Sequence, residues 1–99
     1  MANFTVRVEL HSATYQDYET LHREMAKAGF SRTILGDNGA NYQLPTAEYV
    51  TSGNVTVQQV LEAAKGAASR TGKSFETIIA ETVRWMWCGL TELKRSGTY

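Results

Sequence analysis

Residues 30–49 read FSRTILGDNGANYQLPTAEY, and this stretch decides how the rest of the chain is arranged. β-Branched and aromatic residues lie on both sides of the sequence DNG at positions 37–39, which favours the positive φ values of a tight turn. We therefore expect two strands joined as a hairpin. Helical patterns flank this hairpin, and apolar strand patterns lie beyond them at residues 4–10 and 75–83.

The resulting order is strand, helix, strand, strand, helix, strand, which is the split βαβ pattern. We expect an α+β fold of the ferredoxin-like βαββαβ type, in which two helices cover one face of a four-stranded antiparallel sheet. The first and third strands are central in that arrangement. Pro45 then falls within a central strand, where proline is tolerated at a bulge, so we expect a bulge there.

The first strand has the clearest pattern in the chain. Its apolar residues recur at every second position, as in a strand with one buried face; they are Phe4, Val6, Val8 and Leu10. Both helices begin with a capping-box sequence, Thr14 to Asp17 in the first and Thr56 to Gln59 in the second. A glycine that can take a left-handed conformation ends each apolar stripe; these are Gly29 and Gly72.

The composition fits one small domain. The chain has 99 residues, of which 42% are hydrophobic, and this is enough for one modest core. We expect a single domain over residues 1–99, with its core in residues 4–83 and a C-terminal extension at residues 84–99. The extension is too apolar for a free tail, so it should extend the last strand or form a short helix.

The charge balance and the lack of a membrane or targeting segment limit which partners we expect this chain to bind. Ten basic residues balance ten acidic ones, so no strong overall field attracts nucleic acid or a membrane surface. The apolar runs are shorter than the roughly 20 residues of a membrane helix, and we expect a soluble, cytoplasmic protein without membrane contact. Cys88 is the one cysteine, which excludes an internal disulfide. No cofactor motif is present.

Two short motifs carry a resemblance to a known family. Phe30-Ser31 opens the second strand after a helix and a glycine, and Gln43-Leu44 opens the third. With the spacing of their neighbours, over roughly residues 4–83, they resemble the GhoS-like antitoxins of type V toxin-antitoxin systems. Those are small ferredoxin-like proteins related in fold to the CRISPR-associated Cas2 proteins. The resemblance implies an endoribonuclease that cuts the single-stranded mRNA of a small membrane-damaging toxin.

His11 is the candidate catalytic residue. It follows the last buried residue of the first strand, where an imidazole can move a proton to or from an RNA ribose near neutral pH; the other interpretation is a solvated loop histidine. Cas2 proteins have an aspartate near the end of this strand, at a proposed metal site. Because the strand ends Glu9-Leu10-His11 here, we expect no metal site of that type.

Four further residues are candidates for RNA binding. Arg7 and Arg32 should project from strands, where arginine can hold a phosphate or stack on a base. Tyr42 and Tyr49 can provide aromatic surfaces for unpaired bases. The other interpretation is ordinary sheet structure, with the arginines in ion pairs and the tyrosines in the core.

Two further alternatives stay open. Glu9, Glu48 and Glu81 lie on three neighbouring strands and can hold Mg²⁺ if all three point the same way; otherwise they are surface charges. The alternative function is a non-catalytic phage or mobile-element module that binds a protein partner through its sheet edges or its Trp-rich tail. Exposed edges and large aromatic residues tend to be covered, so we also expect a homodimer.

Overall fold

Two helices and six strands make up residues 1–93, the part of the chain that the computed structural model describes. In chain order they are β1 (Ala2–Leu10), α1 (Tyr15–Lys27), β2 (Thr33–Leu35), β3 (Asn41–Gln43), β4 (Glu48–Gly53), α2 (Val57–Ser69), β5 (Phe75–Thr82) and β6 (Glu92–Leu93). The strands form two three-stranded sheets, ordered β4-β1-β5 and β2-β3-β6. Every pairing is antiparallel, and the predicted α+β class is confirmed.

β1 is the central strand of the first sheet, and its alternation is as predicted. Val6 lies opposite Tyr49 of β4 and Ile79 of β5, and side chains of directly paired residues share a face. The alternating apolar side chains of β1 from Phe4 to Leu10 are buried against the helices, with exposed fractions of 5% or less. We call the opposite face of this sheet the outer face.

Both predicted capping boxes are present. The Thr14 hydroxyl accepts the N–H of Asp17, whose carboxylate accepts the N–H of Thr14 at 2.9 Å, and Thr56 and Gln59 repeat the arrangement at α2. The buried face of α2 is rich in alanine, which lets the helix approach its neighbours closely; the buried residues are Val60, Ala64, Ala67 and Ala68. Neither helix in residues 1–93 is long and apolar enough to cross a membrane.

The predicted hairpin turn is confirmed. Gly39 donates its N–H to the Gly36 carbonyl at 2.9 Å and has a φ of 85°. The Asn38 side-chain oxygen accepts the N–H of Ala40 at 3.0 Å. Side-chain capping of this kind makes asparagine a preferred turn residue, and β2 and β3 follow directly on either side.

The strands of the hairpin do not join β1, β4 and β5 in one four-stranded sheet. The predicted bulge at Pro45 is also wrong. Pro45 lies between β3 and β4, which belong to different sheets. Ala47 then adopts a φ of 67°, a left-handed conformation that redirects the chain. In the expected four-stranded sheet, a fourth strand would lie beside β4. A single β-bridge lies there, in which Ser31 and Val50 exchange hydrogen bonds of 2.8 and 2.9 Å.

Up to Leu93, the last residue that the structure describes, the C-terminal extension neither lengthens β5 nor forms a helix. It turns back over the outer face, where Trp85 donates its indole N–H to the Thr5 hydroxyl at 2.8 Å. β6 then pairs with β3. The hairpin and the extension therefore cover part of the outer face together, around a gap lined by Ile34, Leu44, Val50, Trp85 and Leu90.

Trp85 is expected to contribute to stability more than its neighbour Met86. Trp85→Ala removes the bond to Thr5 and the contacts that hold the extension. It should lower the free energy of unfolding by about 1 to 3 kcal/mol, less than a fully buried aromatic because the side chain is half-buried. Met86 is 89% exposed, so Met86→Ala is the matched control and should change little. Urea unfolding of both variants checks this, and equal midpoints would contradict it.

Candidate functional site on the outer face

Arg7, Glu9 and His11 form a row on the outer face. They alternate with the buried residues of β1, so the period of two places them on the opposite side from the core. On β5, Glu76 lies directly opposite Glu9 and Ile78 lies opposite Arg7. We call Arg7 and Glu9 of β1, with His11 directly after the strand, the outer row.

His11 is held in place by contacts to β5. Its backbone N–H donates to the Ser74 carbonyl at 2.9 Å, and its ring Nδ1 lies 3.2 Å from the Ser74 hydroxyl oxygen. The other ring nitrogen, Nε2, lies 3.6 Å from a carboxylate oxygen of Glu76. The side chain remains 45% exposed, so the imidazole is oriented on both sides and still open to solvent.

The outer row sits in an acidic environment. Glu48 of β4 lies opposite Arg7, and Glu76 lies opposite Glu9. Three carboxylates on this face therefore surround one arginine. Such a surface repels a phosphate backbone that has no specific contacts, whereas one exposed arginine can still bind a correctly placed phosphate.

The side chains of this site fit proton transfer. A carboxylate can accept a proton and a protonated imidazole can donate one, so a glutamate and a histidine form an acid-base pair. Arg7 lies in the same row and can neutralise negative charge that develops nearby. Sequence patterns predicted His11 and Arg7. They missed Ser74 and Glu76, because the pairing of β1 with β5 was needed to place these two.

Tyr49 is not available for RNA binding, and this prediction is wrong. Its side chain is fully buried beneath α1, where its hydroxyl is hydrogen-bonded to His22 Nδ1 at 2.6 Å. His22 is also buried and packs its ring against both Tyr18 and Tyr49. The phase of β4 explains the burial, because Tyr49 is paired with the core residue Val6.

Arg32 is separated from the outer row. Its positive charge lowers the pKa of both His22 and Tyr49, which lie on the helix-covered side of the sheet. The residue is half-buried, and its Nε atom is buried without a hydrogen-bond partner among residues 1–93. The structure therefore does not bring Arg32 together with His11 on one surface.

Burial controls the titration of the His22–Tyr49 pair. Burial is the main cause that lowers the pKa of His22 below its usual value, the charge of Arg32 lowers it further, and Glu19 opposes the shift. Burial also raises the pKa of Tyr49 strongly. Both side chains are thus neutral at physiological pH, which suits a buried hydrogen bond.

Tyr42 lies in the second sheet, on β3, and not in the first sheet with the outer row. Its ring lies 5.4 Å from that of Trp87, centroid to centroid, and its hydroxyl accepts a hydrogen bond from the Asn38 side chain at 3.0 Å. The ring is half-buried, so part of it remains free to stack.

The three glutamates considered for Mg²⁺ do not meet. Glu81 is paired with the core residue Phe4, so it lies on the helix-covered side, while Glu9 and Glu48 lie on the outer face. Within residues 1–93, no three histidine, cysteine or acidic side chains come together as a group that could hold a metal ion.

Comparison with known proteins adds no assignment. No family model and no curated protein sequence matches this chain.

The hydrogen bond between Tyr49 and His22 should be important for stability. Tyr49→Phe keeps the ring but leaves His22 Nδ1 buried without a partner, which costs about 1 to 3 kcal/mol of unfolding free energy. Tyr42→Phe is the matched control. Because the Tyr42 hydroxyl is exposed, this variant should lose less free energy of unfolding than Tyr49→Phe. Denaturant unfolding measures both. A Tyr49→Phe variant as stable as Tyr42→Phe would exclude this role.

Stability should fall on the acid side because of His22. Its pKa is lowered in the folded protein, so the unfolded chain takes up a proton first, near the ordinary value of about 6.5. The stabilisation is complete above that pH and is lost as the pH falls toward the folded-state pKa. Arg32, Tyr18, Tyr49 and Glu19 are the charged and titratable groups around the ring.

His22→Gln removes this titration and keeps a side chain that can bond to Tyr49. Melting temperatures of the two proteins between pH 5 and pH 8 test the idea. The variant should lose less stability than the wild type below about pH 6.5. Parallel curves would show that His22 does not cause the acid sensitivity.

Proposed function

We propose that this protein is a GhoS-like antitoxin, an endoribonuclease that cuts single-stranded mRNA with its own side chains. The framework we propose is ferredoxin-like. The order of helices and long strands supports it, with β1 between β4 and β5. The bridge from Ser31 to Val50 supports it as well, because it occupies the place of the missing edge strand.

The observation that carries the proposal is the position of His11. It lies between Ser74 and Glu76, at the end of a row that also contains Glu9 and Arg7. Ribose and phosphate chemistry needs a base, an acid and a cation close together. The row holds groups of all three kinds on one exposed face, with the Cα atoms of Arg7 and His11 about 13 Å apart along the strand.

The mechanism is an attack by the ribose 2′-hydroxyl. Glu9 or Glu76 takes the proton from the 2′-oxygen, which then bonds to the adjacent phosphorus. The bond from phosphorus to the 5′-oxygen breaks, and protonated His11 gives its proton to that leaving oxygen. Arg7 neutralises the charge that develops on the phosphate. The products carry a 2′,3′-cyclic phosphate and a 5′-hydroxyl.

The acidic outer face fits an enzyme that binds selected RNA and has little non-specific affinity for nucleic acid. Neutralisation of phosphates by lysine and arginine provides most non-specific affinity for nucleic acid, and here carboxylates outnumber the arginine. Affinity must therefore come from a few local contacts. The free part of the Tyr42 ring is the candidate for base stacking. A transcript made and translated in the cytoplasm is the substrate in this proposal.

Cleavage of RNA pools with mapping of the cut ends tests the function. His11→Ala should lower the rate by the roughly 10²- to 10⁴-fold typical of a lost acid-base group, with little change in melting temperature because the side chain is exposed. Glu81→Gln is the matched control, since it removes a carboxylate from the opposite face of the same sheet. The wild type should remain active in EDTA, and a 2′-deoxy sugar at the cut site should prevent cleavage.

Two results would overturn this mechanism. Undiminished cutting by His11→Ala would remove the histidine from the reaction. Loss of cutting in EDTA with recovery in Mg²⁺ would show that a metal ion is required. Ends other than a cyclic phosphate and a 5′-hydroxyl would also contradict attack by the 2′-oxygen.

A second candidate function is a protein-binding module, favoured by an exposed apolar patch. Leu35, Val83 and Met86 are 64%, 95% and 89% exposed. They line one depression together with Trp85 and Trp87, and the charged residues Asp37 and Arg84 also line it. Exposed apolar clusters of this kind commonly mark sites of protein contact. Failure to cut any RNA, by a protein that is folded, would favour this candidate.

A further inference from the structure

Within residues 1–93, one hydrogen-bonding edge of β5 pairs with no other strand. Val8 of β1 donates its N–H to Ala47, on the β4 side, and His11 donates to Ser74, on the β5 side. Even-numbered residues of β1 therefore bond toward β4 and odd-numbered ones toward β5. In the register between β1 and β5, odd-numbered residues of β1 lie opposite even-numbered residues of β5, so the even-numbered residues of β5 form the hydrogen bonds to β1. The N–H and C=O groups at positions 75, 77, 79 and 81 point away from the sheet.

This edge has little of the usual protection against pairing. Edge strands are commonly protected by proline, by charged side chains, especially lysine, or by a bulge. β5, which reads FETIIAET over eight residues, contains no proline, lysine or bulge, and its charged residues are Glu76 and Glu81. Ile78 beside the edge is 68% exposed. Among residues 1–93, β5 pairs with β1 alone.

We infer that β5 pairs with β5 of a second copy of this chain, antiparallel, with Thr77 at the two-fold axis. Only residues that point outward can exchange hydrogen bonds, so odd positions must face odd positions. With Thr77 opposite itself, Phe75 faces Ile79 of the second copy, and the reverse pair forms by symmetry. Aromatic and β-branched residues are a favourable cross-strand pair.

The residues that face one another select this register over its neighbours. Thr77 on the axis brings Glu81 near Lys73 of the second copy; Lys73 precedes β5 and its ammonium lies 3.7 Å from a carboxylate oxygen of Asp17 in its own chain, so Glu81 adds a second carboxylate to an existing ion pair. A shift that places Ile78 on the axis moves Phe75 opposite Glu81. A shift in the other direction places Glu76 opposite itself, and like charges directly opposite are destabilising.

The pairing joins the two first sheets into one sheet of six strands. The outer faces of both copies then form one surface, on which the two outer rows run in opposite directions. This inference does not depend on RNA cleavage, because it follows from the backbone and register of β5. A dimer without nuclease activity, or a nuclease without a dimer, would separate the two proposals.

Molecular mass across a concentration range is the first test, by light scattering. The wild type should form a dimer, and Thr77→Lys should shift it to a monomer because it places two like charges at the axis. Val83→Lys adds the same charge at a residue that is 95% exposed and just beyond β5, so it should remain dimeric. A monomeric wild type at all concentrations would overturn the inference, as would a dimeric Thr77→Lys variant.

Cross-linking tests the register and does not depend on the folding of the lysine variant. In a Cys88→Ser background, Thr77→Cys should form an intermolecular disulfide on treatment with diamide. Hydrogen-bonded partners have Cα atoms about 5.5 Å apart, within the range of a disulfide. Ile78→Cys is the matched control, because its copies lie about 7 to 8 Å apart on a diagonal. Cross-linking of Ile78→Cys but not Thr77→Cys would overturn the register, and no cross-linking of either would overturn the pairing.

Discussion

The structure depends on β1, which is hydrogen-bonded along both edges and buried along one face. Its two partners come from distant parts of the chain, β4 before α2 and β5 after it. Both helices cover the same face, where the alternating apolar residues of β1 meet Leu21, Met25 and the alanines of α2. A one-residue slip in either pairing would turn an entire set of side chains to the wrong face, so burial and register support each other.

The segment between β3 and β4 is the second feature that constrains the fold. Pro45 has no N–H for a ladder, and Ala47 takes a left-handed conformation with a φ of 67°. The chain therefore leaves one sheet and enters another within a few residues. The consequence is a hairpin that pairs with the C-terminal extension, since β6 lies beside β3. The outer face is covered at Thr5 by Trp85 and remains open along the outer row.

The two faces of the first sheet hold their ionisable groups in different environments. Under α1, His22 and Tyr49 are buried and neutral, and their contact at 2.6 Å serves the fold. On the open face, His11 remains in solvent and contacts Ser74 and Glu76. A histidine is suited to proton transfer where substrate can reach it, which is why the outer face is the candidate site and the His22–Tyr49 pair is not.

Local patterns in the sequence determined the elements of this protein: the period of two in β1, the capping boxes of both helices, the turn at residues 37–39 and the strand beginning at Phe75. Each depends on neighbours within a few residues, so no tertiary information is needed. His11 and Arg7 also followed from the phase of one strand. Tertiary structure alone decided that Glu76 joins His11, that Tyr49 is buried and that Glu81 faces away from Glu9. Those relations depend on the register between β1 and two strands that lie about 40 to 80 residues further along the chain, and register is set by burial and hydrogen bonding across the whole sheet.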